Sequence, residues 1–269
     1  MRATSTIWCH ASNKCLKNSK TMKKKTKIMT IAIVALLVLL VLAANIWRRQ
    51  SLVRGVRVDI DYRGGDTLVT AQQVEEQICA AIPDLMTKML RDVDLKAVER
   101  SAAASPYLYD CKAGTSISRN VVVFASQRRP IVRVCTQEEY YLDESGHRVP
   151  VSEVGSFDVV VASGNIPTRG KGHNDVWTLA DYLYRHPDLS PLFDQIYRDN
   201  KGDLFLTPKM GNHVVQLGNV DNLDEKFHNL MAFYTRGLPQ VGWEKYSQVS
   251  VKYRGQVVCR RRQASPSGN

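Results

Sequence analysis

Histidine, cysteine, serine and paired carboxylates are the side chains best able to do chemistry, and their spacing in this chain argues against catalysis. The six histidines, His10, His147, His173, His186, His213 and His228, are scattered along the sequence. No HExxH, His-x-His or Cys-x-x-Cys spacing sets two metal ligands on one face, so the histidines read as solvent-exposed loop residues. There is no Gly-x-Ser-x-Gly, and no close carboxylate pair stands out for acid–base work. Arg169-Gly170-Lys171-Gly172 is basic and flexible but lacks the full phosphate-loop pattern and does not clearly link a strand to a helix. It reads as a surface loop. The expectation is a protein with no metal, no cofactor, no small-molecule substrate and no enzymatic activity.

Recognition through the backbone is the chemistry that remains. Tyr246 to Tyr253 reads as a strand, Gly255 as a turn, and Gln256-Val257-Val258-Cys259 as the last strand of the folded chain. A final strand can lie at a sheet edge, where unpaired backbone groups either need protection or accept an incoming strand. Arg260, Arg261 and Arg262 fit both readings, repelling edge-to-edge aggregation or steering an acidic partner.

The elements that position this edge begin with an anchor. Ile28 to Trp47 is a run of twenty residues without a charge, long enough as a helix to cross the roughly 30 Å hydrocarbon core of a bilayer. Eight basic residues and no acidic one precede it, which places the N-terminus in the cytoplasm and residues 48–269 outside. This leading segment supplies +8 of the net charge of +11, so the basic composition describes topology and not nucleic-acid binding. Val41-Leu42-Ala43 would suit a cleaved signal peptide, but the apolar run exceeds the usual core of about 7–15 residues. Translation could start at Met1 or at Met22, where Lys-Lys-Lys-Thr-Lys follows. Cys79, Cys111, Cys135 and Cys259 lie on the exported side and read as buried free thiols in preference to disulfides.

After the anchor the pattern predicts strand, helix, helix, strand, strand. Val56 to Tyr62 alternates as a half-buried strand, ended by Gly64-Gly65. Thr70 and Gln73 form a capping box for a helix with Val74, Ile78, Ala81 and Ile82 inward, stopped by Pro83. Asp94 caps a second helix with Leu95, Val98 and Ala102 inward. Strands are predicted over 107–113 and 120–134, with the turn at Ala113-Gly114-Thr115. From 135 onward short strands dominate: a hairpin around Asp143–Gly146, a buried strand at Val159–Val161, and a meander with turns at Asn200–Asp203 and Gly211-Asn212. Two helices accompany them, one with Val176, Leu179, Ala180 and Leu183 inward. The other is capped by Asn222 with Glu225, directs Phe227, Leu230, Met231 and Tyr234 inward, and ends at Gly237.

The order of these parts resembles the FtsQ/DivIB cell-division family. Leu95-x-x-Val98-Glu99 running to Ser105-Pro106-Tyr107-Leu108 is similar to its second helix and following strand. Val121–Phe124 with Gln127-Arg128-Arg129-Pro130-Ile131-Val132-Arg133 is similar to its (E/Q)R-x-P segment, with Gln127 in place of the commoner Glu. Tyr141-Leu142-Asp143-x-x-Gly146-x-x-x-Pro150, Val160-Val161-x-x-Gly164, and Gln216-Leu217-Gly218 before a helix holding Lys226 follow in the family's order. Ser250–Tyr253 with Gln256–Val258 resembles its closing hairpin, and the Tyr-Tyr-Leu-Asp and Gln-Val-Val-Cys forms look most like the Bacteroides version.

The resemblance implies an α+β chain: a cytoplasmic tail (1–27), one transmembrane helix (28–47), a POTRA-like β-α-α-β-β domain (48–134), a β-rich domain with two or more helices (135–262), and a disordered tail (263–269). It implies a non-enzymatic divisome scaffold of the cell inner membrane, enriched at the septum and linked to septal peptidoglycan synthesis. Its closing strands would bind the coiled-coil division proteins FtsB and FtsL by strand addition, through Val251, Tyr253, Gln256, Val257, Val258 and Cys259. Other septal proteins would be further partners. The POTRA-like unit could also bind a partner through a strand edge near Tyr107–Tyr109, as well as orienting the β domain; a POTRA-type envelope chaperone or transport module presenting an edge strand to clients is the alternative function.

Overall fold

The uncharged run is helical. The computed structural model describes residues 29–47, 51–63 and 65–263, and in it α1 (Met29–Trp47) has 19 residues with its apolar side chains outward on every face. Apolar residues all round a helix need an apolar solvent, as a lipid bilayer provides. Ile28, the tail 1–27 with both start sites, Cys9 and Cys15, Gly64 and the end of the chain beyond 263 lie outside the described residues.

The described residues divide into two compact units. One gathers α1 with residues 51–56, 82–94 and 114–121; the other holds 57–81, 95–113 and the chain from 122 onward. In the first, the chain is bonded as soon as it reaches Ser51. Val53 N–H donates to the Lys88 carbonyl (3.1 Å), Leu90 N–H to that of Ser51 (3.0 Å) and Arg54 N–H to that of Arg119 (2.9 Å). Val53, Leu85 and Leu90 are its buried residues beside these bonds.

Strand β1 (Gly55–Asp61), helices α2 (Ala71–Ala81) and α3 (Leu95–Ala103), and strands β2 (Leu108–Thr115) and β3 (Asn120–Gln127) reproduce the β-α-α-β-β order. The strands form a sheet of order β1-β3-β2. Thr70 and Gln73 cap α2 reciprocally, Gln73 N–H donating to Thr70 Oγ1 (3.2 Å) and Thr70 N–H to Gln73 Oε1 (2.9 Å). Val74, Ile78, Val98 and Ala102 are buried as expected, but Ala81 is exposed. The turn before β3 falls at Ser116–Arg119 and not at 113–115, since Arg119 accepts the left-handed conformation (φ 67).

The strand predicted over 120–134 is broken. β3 ends at Gln127, and β4 (Pro130–Cys135) belongs to a different sheet, because Pro130 has no N–H for a continuous ladder. With β4 come β5 (Glu139–Asp143), β6 (Arg148–Pro150), β7 (Val160–Gly164), α4 (Lys171–Arg185), β8 (Phe193–Arg198), β9 (Leu204–Pro208), β10 (Val214–Gly218), α5 (Leu223–Ala232), α6 (Leu238–Val241), β11 (Tyr246–Ser250) and β12 (Val258–Arg261). Nine strands form one sheet, ordered β12-β11-β10-β9-β8-β7-β4-β5-β6. Strands β8, β9 and β10 are the expected meander, while β7–β8 and β10–β11 pair in parallel. Parallel neighbours need crossovers, which α4 and the α5–α6 stretch supply. One core joins Leu179, Ala180 and Leu183 of α4 and Phe227 and Leu230 of α5 to Ile196, Leu206, Leu217 and Val249 of the sheet.

The end of α5 differs from expectation. Asn222 takes a left-handed conformation (φ 52, ψ 45) and makes no side-chain cap. Gly237 does not stop the helix: a π-turn over Phe233–Gly237 carries it into α6, and Gly242 (φ +87) ends it. Tyr234, inward as its helical spacing with Phe227 and Leu230 predicts, meets His213.

Candidate functional site

The closing hairpin builds the site. β11 continues the sheet in parallel with β10, and β12 returns antiparallel with Ser250 opposite Val258 and Val249 opposite Cys259. The strand predicted to reach Tyr253 stops at Ser250, and the last strand is shifted two residues toward the C-terminus. Lys252 and Gly255 explain the early stop. Lys252 Nζ bonds Asp203 Oδ2 (2.6 Å), and Gly255 N–H donates to Glu225 Oε1 (3.1 Å), with Arg254 3.4 Å from the same carboxylate. The carboxylate of Asp203 holds the Lys252 ammonium above its usual pKa, chiefly through that hydrogen bond.

The six expected docking residues separate by environment. Val251 is core, 1 % exposed, and offers no side chain to a partner. Val257 and Cys259 are half-buried and pack on the large core, and burial raises the Cys259 thiol pKa. Tyr253, Gln256 and Val258 face solvent, Tyr253 at 59 % and Val258 at 48 %. Arg260 and Arg261 lie within β12 and are exposed.

Arg262, Gln248 and Gln216 hold this edge in place. Arg262 N–H donates to the Lys245 carbonyl (3.0 Å), while its guanidinium reaches the carbonyls of Asn212 and Glu244. Gln248 Nε2 donates to Gln216 Oε1 (2.8 Å), and Gln216 Nε2 donates to Asp203 Oδ2 (3.1 Å). The period-two pattern of β10 and β11 already set both glutamines on one face; only their register could pair them.

The four sheet edges are treated differently. On β1, the Val58 N–H is taken by Glu75 of α2 (3.0 Å); on β2, the Ala113 N–H is taken by Glu99 of α3 (2.9 Å). β6 is three residues long and ends in Pro150. All three devices blunt an edge. Among the described residues, the only side-chain bond to the β12 backbone comes from Ser247 Oγ to the Arg260 carbonyl (3.4 Å), within the hairpin itself. Among the described residues, β12 is the edge without such a device.

The other sequence candidates resolve as structure. His213 is not an exposed loop residue: it is 2 % exposed, with Nε2 sharing a 2.7 Å hydrogen bond with the Tyr234 hydroxyl and Trp243 packed beside both. Burial lowers its pKa, with a smaller contribution from Arg262. The Arg169–Gly172 segment does connect β7 to α4, which the sequence left undecided; Asn174 N–H bonds the Gly170 carbonyl (3.0 Å), and Gly172 is buried. Lys226 is buried with Nζ 2.7 Å from both the carbonyl and Oδ1 of Asn219, and burial depresses its pKa. Cys79, Cys111, Cys135 and Cys259 are free, with Cys111 buried and the others half-buried. Desolvation pushes the Cys111 thiol up to about 11. Among the described residues no three His, Cys, Asp or Glu side chains converge where a metal could sit.

No curated protein matches the chain. Residues 129–260, which contain the nine-stranded sheet up to β12, match the family described as FtsQ/DivIB, C-terminal related. The match begins where the chain enters β4 and ends within β12, and it supports an FtsQ/DivIB-family protein, a family of cell-division proteins.

Proposed function

We propose that this protein is a membrane-anchored, non-catalytic scaffold of the division machinery that receives a strand from a coiled-coil partner on β12. The observation that carries this reading is the contrast among edges: β1 and β2 each have a backbone N–H taken by a helix glutamate and β6 is short and ends in proline, while among the described residues β12 carries no such device. An extended segment laid beside Val258–Arg261 would complete the ladder, with main-chain bonds supplying affinity. Tyr253 and Val258 offer apolar contact, and Arg260 and Arg261 favour acidic side chains on the partner. FtsB- and FtsL-like proteins are the partners this reading names, with recruitment coupled to septal peptidoglycan synthesis. In it α1 crosses the inner membrane once, the tail is cytoplasmic and the bulk is periplasmic. Residues 48–134 act as a POTRA-like domain and 135–262 as the β domain, although Pro130 suits a boundary nearer 128.

The test is capture of FtsB- and FtsL-like proteins by the detergent-solubilised full chain, comparing wild type with Tyr253→Glu and Val258→Asp. Both positions are exposed, so circular dichroism should be unchanged while capture is lost. Capture indifferent to both substitutions would remove the docking rail from this hairpin.

A further inference from the structure

The unit next to α1 divides its apolar side chains in two. Val53, Leu85 and Leu90 are buried, whereas Leu52, Met86, Met89 and Ile117 are exposed, Ile117 at 88 %. Leu52 and Met89 face one another across an isolated β-bridge. Ile117 occupies the turn Ser116–Arg119, closed by Arg119 N–H on the Ser116 carbonyl (3.2 Å). Turns favour polar residues, so an isoleucine held outward there does nothing for the hairpin. The Arg54–Arg119 backbone bond sets this turn beside the segment carrying Leu52, and both arginine side chains are exposed.

Chain connectivity restricts what can cover these residues. Trp47 ends α1, and Ser51 is already bonded to Leu90. Four Cα–Cα steps separate Trp47 from Ser51, a reach of at most about 15 Å. Once α1 is in a bilayer, Ser51 and the Leu90 bonded to it stay within about that reach of its surface, and Arg54, which bonds the 116–119 turn, follows three residues on.

We infer that Leu52, Met86, Met89 and Ile117 form a lipid-facing patch that seats this unit on the leaflet from which α1 emerges. The inference rests on the reading of α1 as a membrane span. Because the tether makes the encounter intramolecular, four partly inserted side chains suffice where a free domain would bind too weakly. Arg54 and Arg119 are placed to meet lipid phosphates beside the patch. The consequence is orientation: a unit held at two points, span and patch, presents its body to the periplasm in a fixed attitude instead of swinging on a linker.

Brominated phospholipid, which quenches indole emission on contact, tests this in nanodiscs holding the full chain. Ile117→Trp is made with Trp47 retained and with Trp47→Phe. The expected result is strong quenching of the indole at 117, relieved when Leu52→Glu and Met89→Glu are added. Quenching of Trp47 without quenching at 117 would overturn the patch while leaving the span intact. Absence of quenching at Trp47 itself would overturn the span and the patch together. An indole at 117 that iodide reaches freely in nanodiscs would also refute lipid contact and give the patch to a protein partner.

Discussion

Replacing Gln127 by glutamate, the residue commoner at this point of the family signature, should destabilise the protein at neutral pH. Gln127 is 1 % exposed. Its Oε1 accepts the Leu68 N–H (2.7 Å) while its Nε2 donates to the Asp66 carbonyl (2.8 Å), so the site uses the carboxamide as acceptor and donor at once. A carboxylate keeps the first bond but turns an anionic oxygen onto a carbonyl oxygen, in a buried place. Its folded pKa must therefore rise above the unfolded value of about 4.3. The sign follows from proton linkage. Below about pH 4.3 both states are protonated, the O–H donates to Asp66, and the penalty is absent. Above it the penalty grows by about 1.4 kcal/mol per pH unit until the folded pKa is reached. Protonation caps the cost at pH 7 near 3.7 kcal/mol, and incomplete desolvation brings the expectation to about 2–4 kcal/mol. Urea unfolding of the detergent-solubilised chain, followed by emission of Trp177 and Trp243 at several pH values, reads this directly. A Gln127→Glu penalty that is flat between pH 4.5 and 7.5, or below about 0.5 kcal/mol at pH 7, would refute the reasoning.

His213 supplies a second pH effect, of opposite practical sense. Its folded pKa lies below its unfolded value of about 6.5, so its contribution is complete above that pH and is lost as pH falls toward the folded pKa; His213→Gln should flatten that acid limb in the same unfolding series. Lys226→Met should destabilise the protein by about 1–3 kcal/mol, because the carbonyl and side-chain oxygen of Asn219 both lose their donor, and a thermal melt unchanged within a degree or two would contradict it. Gly164→Ala should cost about 2–4 kcal/mol, since φ is +97 and a Cβ there would run into the Arg198 carbonyl oxygen; near-wild-type unfolding would show that β7 and β8 can separate locally. Arg262→Ala should leave the core intact but loosen β12, seen as faster amide exchange at Val258–Arg261 with little change in global stability.

Local pattern determined a large share of this protein by itself. A charge-free run of helical length, a capping box at Thr70–Gln73, period-two alternation in β1 and turn residues at Asp143–Gly146 each act through neighbours a few residues away, and each is legible from the chain alone. Tertiary structure decided what depends on residues far apart. Pro130 could be read as a breaker, yet only the assembled sheets show that it divides one apparent strand between two of them. Gln127 looked like a departure from a pattern; its fitness comes from Leu68 and Asp66, about sixty residues away. His213 reads as a loop histidine from the sequence; its burial comes from Tyr234 and Trp243, which pack on it from later in the chain. The docking hypothesis shows the same division. That the last strand could lie at an edge follows from its place at the end of the chain. That, among the described residues, β12 lacks the devices seen on the other three edges depends on Glu75, Glu99 and Pro150, because an edge is blunted by whatever folds against it, and no local pattern records that.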